Sequence, residues 1–247
     1  MMVLFFTATG NNLYIAKRLS NEYYSIPRMI KENTFEFESE KIGIVFPVFH
    51  GAVPPIVEEF LNNVTLKSTY IFGIASYGCI AGGASKHLLE IAERNKITFS
   101  YINEILMIDN WLPIFNMEKE RKRELGKNIE KNLEQIIEDI SAKKSYIKRH
   151  IAIINFLRQV HKKKFQVSFE RYFFTKDNCN QCKTCEKVCP VNNIVVKEKP
   201  LFMQNCQQCL SCIHNCPQKA IHLENEKSGE RFSNQNVTLN EIIDSNN

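Results

Sequence analysis

Eight of the nine cysteines fall into two runs of one pattern. The first is Cys179-x2-Cys182-x2-Cys185-x3-Cys189-Pro190, and the second is Cys206-x2-Cys209-x2-Cys212-x3-Cys216-Pro217. Three thiolates two residues apart can wrap one tight turn of backbone around three irons of a [4Fe–4S] cube. Zinc knuckles use paired C-x2-C without a third cysteine and a following Cys-Pro. Disulfides would need an oxidising compartment. No signal peptide is expected, because no basic region precedes the apolar start and Thr7-Ala8-Thr9-Gly10 interrupts it at once. The chemistry these residues imply is one-electron transfer, and the protein is expected to be cytoplasmic. Pro190 and Pro217 turn the chain sharply after each fourth cysteine.

The cysteine runs occupy only the last quarter of a 247-residue chain, which suits two domains with the main core in the first. The formal net charge is +5. Two oxidised cubes at about −2 each would bring it to about +1, so the bare charge is not a signal for nucleic acid. No apolar run reaches the ~18 residues of a spanning helix, so no membrane span is expected.

The elements that must position a second cofactor lie upstream. Residues 2–6 read as a buried strand, followed by the loop Thr7-Ala8-Thr9-Gly10-Asn11-Asn12 and a helical pattern through Leu13, Ile15, Ala16, Leu19 and Tyr23. A strand, a hydroxyl-and-glycine loop and a helix make a phosphate site, because the helix start offers unpaired N–H groups and the positive dipole end. The loop has no Lys or Arg, so it is neither a Walker loop nor a dinucleotide fingerprint. Further strands are expected over 41–46 and 70–75. Each leads into a loop, Pro47–Pro54 and Ser76–Gly83, and then into a helix, from Pro55 to about Asn63 and up to about Asn95. A last strand is expected within 98–108, and a poorly marked second strand near 26–30. Strands alternating with helices argue for a doubly wound parallel sheet, whose ligands bind beyond the C-terminal strand ends.

These motifs carry a resemblance. The cysteine spacing is that of a bacterial two-cluster ferredoxin. It implies that the fourth cysteine of each run ligates the other cube, so Cys179, Cys182, Cys185 and Cys216 hold the first and Cys206, Cys209, Cys212 and Cys189 the second. Thr7-x-Thr9-Gly10-Asn11 looks like the flavodoxin phosphate loop. Pro47-Val48-Phe49-x-Gly51 and Tyr77-Gly78-x4-Gly83 look like the two loops that enclose an isoalloxazine ring. Nearly the whole chain resembles the EFR1-type flavodoxin–ferredoxin fusion proteins of anaerobic prokaryotes. That implies a flavodoxin-like sheet of order 2-1-3-4-5 with a small α+β ferredoxin-like C-terminal domain, and two [4Fe–4S] clusters plus FMN as cofactors. The implied FMN contacts are Thr7, Thr9, Gly10, Asn11, Asn12, Pro47, Val48, Phe49, Gly51, Ser76, Tyr77, Gly78 and Gly83. Several have plain structural alternatives: Thr7 and Thr9 as helix caps, Phe49 and Tyr77 as packing aromatics, the glycines as turn residues. His50 reads as a solvated loop histidine, Cys79 as a small space-filler and Trp111 as a core or interface residue. Segments 47–54 and 76–84 hold no Asp or Glu, so repulsion of an anionic reduced flavin should be low there.

The expected domains are 1–144, a basic helical connector 145–172, the two-cluster domain 173–225 and a polar tail 226–247. A long charged helix is expected from Glu118 to about Lys144, with Leu125, Ile129, Leu133, Ile136, Ile137 and Ile140 on its apolar face. The connector carries Lys148, Arg149, Arg158, Lys162, Lys163, Lys164 and Arg171 among Tyr146, Phe156, Phe165, Phe169 and Tyr172. It reads as packing between domains, complementing anionic cofactors or steering an acidic redox partner. The tail is expected to be poorly ordered. The leading function is electron transfer between the clusters and FMN, with an unidentified redox protein or small-molecule acceptor as partner. A flavin-dependent reductase and a non-enzymatic iron–sulfur module without FMN are the alternatives.

Protein prepared anaerobically should contain about eight iron and eight sulfide per chain, as two cubes require. Cys79→Ser should leave that content unchanged, whereas Cys189→Ser should lower it. A preparation holding only zinc would defeat the assignment.

Overall fold

The computed structural model describes residues 1–149 and 169–246. The N-terminal part runs β1 (Met2–Phe5), α1 (Asn11–Leu19), β2 (Glu22–Ser25), α2 (Ile26–Lys31), β3 (Glu36–Glu38), β4 (Lys41–Pro47), α3 (Pro55–Asn63), β5 (Thr65–Lys67), β6 (Tyr70–Tyr77), α4 (Ala84–Arg94), β7 (Tyr101–Leu106), α5 (Met117–Arg123), α6 (Ile129–Ser141) and β8 (Tyr146–Ile147). The main sheet has the order β2-β1-β4-β6-β7-β8, with every neighbouring pair parallel. Its first five strands follow the flavodoxin-like order, and β8 adds a two-residue edge.

Alternate side chains along the central strands feed the two faces. Leu4, Phe6, Ile42, Ile44 and Phe46 pack under α3 and α4, while Val3, Phe5, Val45, Phe72 and Ile74 pack under α1 and α6. Burial on both faces explains why these strands read as unbroken apolar runs.

Three expectations need correction. The second strand is β2, not 26–30, which is α2 with Pro27 in its first turn, where a missing N–H costs nothing. As an edge strand with three of its four residues exposed, β2 lacks an apolar run to announce it. The long helix over 118–144 is broken into α5, a 3-10 turn (Leu125–Lys127) and α6. Asn128 takes a left-handed conformation at the break, Leu125 is 92% exposed, and Lys127 turns inward instead. The third correction is the tail. Phe232, Val237 and Ile242 are buried, and α9 (Leu239–Asn246) docks beside α2 and β2. Ser25 Oγ donates to the Ser245 carbonyl, Lys31 to that of Asn246, and Lys17 pairs with Glu241 at 2.6 Å. Five apolar residues, Phe232, Val237, Leu239, Ile242 and Ile243, among many polar ones are too sparse to reveal a buried strap from composition.

The C-terminal region is an internal repeat. Strand β9 (Phe173–Thr175), helix α7 (Thr184–Lys187) and β10 (Ile194–Val196) recur as β11 (Pro200–Phe202), α8 (Ser211–His214) and β12 (Ile221–Leu223). The halves interlock, because β9 pairs with β12 and β10 with β11, both antiparallel. Of the basic connector, Arg158, Lys162, Lys163, Lys164, Phe156 and Phe165 lie outside the described residues. Tyr146 lies in β8, while Phe169 and Tyr172 pack against the C-terminal core. Among the described residues no helix is long and apolar enough to cross a membrane.

Ile242 is fully buried against the α1 face of the sheet. Ile242→Ala should cost about 2–5 kcal/mol, read as a lower urea midpoint. A midpoint unchanged from wild type would mean that the tail does not share the core.

Candidate redox site

The cysteine runs build two cavities. Cys179, Cys182, Cys185 and Cys216 line one, with Val196, Pro200 and Ile221; Cys189, Cys206, Cys209 and Cys212 line the other, with Phe173, Ile194 and Phe202. Each cavity thus gathers three cysteines of one run and the fourth of the other. Local backbone explains the wrapping. Gln181 and Lys183 in the first run, and Gln208 and Leu210 in the second, have positive φ between 56° and 59°. These left-handed residues curl the chain around each cavity before α7 or α8 begins. Backbone N–H groups donate to sulfur at Asn193→Cys189 (3.1 Å), Gln208→Cys206 (3.3 Å) and Ala220→Cys216 (3.3 Å).

Burial pushes the Cys185 and Cys206 thiols up to about 12, and raises Cys189, Cys209 and Cys212 as well. Cys182 is also pushed up by burial, but hydrogen bonds from Thr184 and nearby backbone outweigh this and its pKa falls. Buried thiols of this kind become thiolates only where a cation takes up their charge. Among the described residues no three His, Cys, Asp or Glu side chains converge to hold a single metal ion. The sulfurs instead stand around cavities, an arrangement that fits a multi-iron cluster. Cys79, the ninth cysteine, is exposed.

A cleft of about 480 Å³ opens at the C-terminal ends of β1, β4 and β6. Thr7, Thr9, Asn11 and Asn12 line it from the first loop, Pro47, Val48, Phe49 and Gly51 from the second, and Ser76, Tyr77 and Gly78 from the third. Gly10 and Gly83 of the expected set do not line it. Gly10 has φ +96° and faces the tail, where an added Cβ would lie 3.1 Å from Asn234 and Val237. Gly83 is the residue before α4, and its N–H donates to the Gly51 carbonyl, tying the second and third loops together. The Thr7 hydroxyl accepts from the Gly10 N–H at 3.0 Å, which shapes the first loop. Asn12 is buried and, among the described residues, its amide oxygen has no hydrogen-bond partner, so the amide can turn toward a ligand. Thr9 accepts from Asn110, and its carbonyl accepts from the Asn234 N–H at 2.9 Å, so the tail forms an outer wall of the loop.

Sequence reasoning missed several residues of this cleft. Asp109 is one: segments 47–54 and 76–84 hold no acid, but this carboxyl from beyond β7 stands in the wall of the cleft. It packs on Gly78, where a Cβ would fall 2.2 Å from its own. Burial raises its carboxyl to about 6, the N–H of Trp111 opposing. Behind it the buried pair Lys127–Glu120 (3.2 Å) holds the Gly78 carbonyl through Lys127 Nζ at 2.9 Å. Trp111 also lines the cleft, stacking on Phe169 with ring centroids 5.2 Å apart.

Gln208 and Cys209 of the second cysteine run line the same cleft. His50 contacts the Gln208 amide at 3.0 Å and the Trp111 ring edge-on, so it is an interface residue rather than a solvated one. From α8 the Ser211 hydroxyl and the Asn215 amide both donate to the Ala8 carbonyl, at 2.8 and 3.0 Å. His214 accepts the Phe232 N–H at Nδ1, so its Nε2 carries the proton given to the Asn110 carbonyl at 2.8 Å. Burial holds this imidazole neutral, with its pKa lowered to about 4.

Comparison with known proteins adds one specific match. Residues 172–195 match the family described as the 4Fe-4S binding domain, so the chain carries a [4Fe–4S] ferredoxin motif. No curated protein matches the chain significantly. Among solved structures, a candidate flavoprotein from Bacteroides uniformis is 15% identical over 42% of this chain and 88% of its own, with a TM-score of 0.34. Rubredoxin oxygen:oxidoreductase from the anaerobe Desulfovibrio gigas is 12% identical over 57% of this chain and 36% of its own, with a TM-score of 0.35. At such scores the fold assignment rests on the strand order itself. An iron–sulfur motif joined to a flavodoxin-like sheet is the architecture of an electron-transfer protein.

The native Asp109 carboxyl binds its proton more tightly than the unfolded chain does. Its favourable contribution is therefore full below about pH 4 and lost as pH rises to about 6. Asp109→Asn, which keeps an acceptor for the Trp111 N–H, should raise the unfolding temperature at pH 8, by at most about 3 kcal/mol of stability. The gain should vanish near pH 4. A gain independent of pH would contradict a buried, ionised Asp109.

Proposed function

We propose that the chain is an iron–sulfur flavoprotein that passes electrons between two [4Fe–4S] clusters and FMN. The observation that carries this reading is Cys209, which belongs at once to the second sulfur-lined cavity and to the cleft at the strand ends. A cluster ligand in the wall of a flavin site leaves a short path between the two cofactors. FMN, when bound, takes one or two electrons, and so couples single-electron cubes to two-electron chemistry.

The residues divide that work. Thr7, Thr9, Asn11, Asn12 and the N–H groups at the start of α1 would hold the phosphate without a cationic side chain. Phe49 and Tyr77 would flank the ring. Ser211, His214 and Asn215 bind the cluster helix to the phosphate loop and to Asn110, so the spacing of the carriers is set by hydrogen bonds and not by a flexible tether. Asp109 favours one second reading, a flavin-dependent reductase of a small substrate, since a carboxyl raised to about 6 can move a proton at the cleft.

Flavin released from the protein should chromatograph as FMN, and Gly10→Val should abolish its retention by forcing φ +96° on a β-branched residue against Val237. Rapid mixing with a low-potential reductant should bleach the clusters first and the flavin second, the second rate being independent of protein concentration. Cys209→Ser should slow flavin reduction without preventing FMN binding. A flavin rate proportional to protein concentration would sink the intramolecular relay.

A further inference from the structure

The two sulfur-lined cavities are not equivalent. Cys209 connects the second to the cleft, whereas no cysteine of the first cavity lines it. The first is instead the one nearer to solvent: it holds exposed Cys182, with Cys179 and Cys216 half-buried and Cys185 buried, whereas in the second Cys206 and Cys209 are half-buried and Cys189 and Cys212 buried. On a path from cavity to cavity to cleft, the first is the outer terminus.

Its surroundings are cationic. Lys176, Lys183, Lys187 and Lys199 are all exposed around Cys179 and Cys182. Lys183 and Lys187 stand at the two ends of α7, which begins two residues after Cys182. Over residues 176–199 the exposed lysines Lys176, Lys183, Lys187, Lys197 and Lys199 outnumber the carboxylates Asp177, Glu186 and Glu198. Asp177 pairs with Lys199 at 2.8 Å, and Glu186 accepts the Val196 N–H at 3.0 Å. Among the described residues Lys176, Lys183 and Lys187 form no ion pair. A bare cube of about −2 at this position would repel an acidic protein. The lysine rim offsets that charge where a partner would approach.

We propose that the lysine-rimmed surface over Cys182 is the docking site for an acidic one-electron carrier protein, which exchanges electrons with the outer cube. The inference rests on the two-cluster reading. The carrier gains or loses one electron and the outer cube loses or gains it, with no bond made or broken. Opposite charges speed the encounter and orient it, and salt weakens both effects.

The test measures bleaching of the cluster absorbance by a reduced acidic ferredoxin, in the holoprotein, as a function of salt. The second-order rate constant should fall by about tenfold or more between 20 and 500 mM salt, given the usual size of steering effects. Lys176→Glu/Lys187→Glu should produce a similar loss at low salt, whereas Lys67→Glu, on β5, should not. The methyl viologen radical cation should not reduce the double variant more slowly than wild type. Iron and sulfide content, and cluster potentials from dye-mediated titration, separate the two possible failures. Fewer than two cubes in the wild type would overturn the underlying reading. Two intact cubes with a ferredoxin rate indifferent to salt, or lost equally with Lys67→Glu, would overturn the docking site. The salt series on the wild type decides the matter even if the double variant does not fold.

Discussion

One backbone carbonyl joins the two halves of this molecule. Ala8, in the loop that leaves β1, accepts hydrogen bonds from Ser211 and Asn215, both buried, at the start and the C-terminal cap of α8 within the second cysteine run. A buried carbonyl must be satisfied, and buried side-chain donors are costly when left unpaired. Each half therefore supplies what the other lacks. The contact sets Cys209 in the wall of the cleft, and His214 repeats the arrangement one turn along by bridging Asn110 and Phe232. Packing follows the same line: Val188 is buried among side chains of the α1 face, and Cys209 lies against the opposite core.

Charge is distributed under the same constraint. Cys185, Cys189, Cys206, Cys209 and Cys212 sit where burial disfavours thiolates, so the cavities suit a ligand that brings positive charge. On the cleft side, Asp109 carries a proton affinity raised by burial, with Glu120 adding to it and Lys127 opposing. Lys127 is available for this because the helix breaks at Asn128 and turns the side chain inward. The break that spoils a continuous amphipathic helix is what brings an ion pair behind the third loop.

The tail closes the structure. It leaves the ferredoxin-like repeat through Phe232, crosses the first loop at Asn234 and ends as α9 beside α2 and β2. A segment made mostly of polar residues is held by backbone and side-chain hydrogen bonds plus a few well-placed apolar contacts. Gly10 accommodates it, since its positive φ and missing side chain leave room for Asn234 and Val237.

From sequence alone the ligand chemistry, the parallel sheet and most of the loops facing the cleft were legible. Cysteine spacing reports a local wrapping geometry, and central strands buried on both faces announce themselves as apolar runs. Both are properties of neighbours in the chain. Tertiary structure decided the rest. The edge strand β2 carries no apolar signal, because most of it faces water. Asp109 and Lys127 join the site from segments with no motif, and Gln208 and Ser211 occupy the unspecified positions between cysteines of the second run. Gly10 stands in the first-loop motif, but only the fold shows that its positive φ and missing side chain leave room for Asn234 and Val237 of the tail. Which side chains meet across a hundred residues or more depends on how the halves dock. That docking is set by paired hydrogen bonds and burial between surfaces that no local pattern encodes.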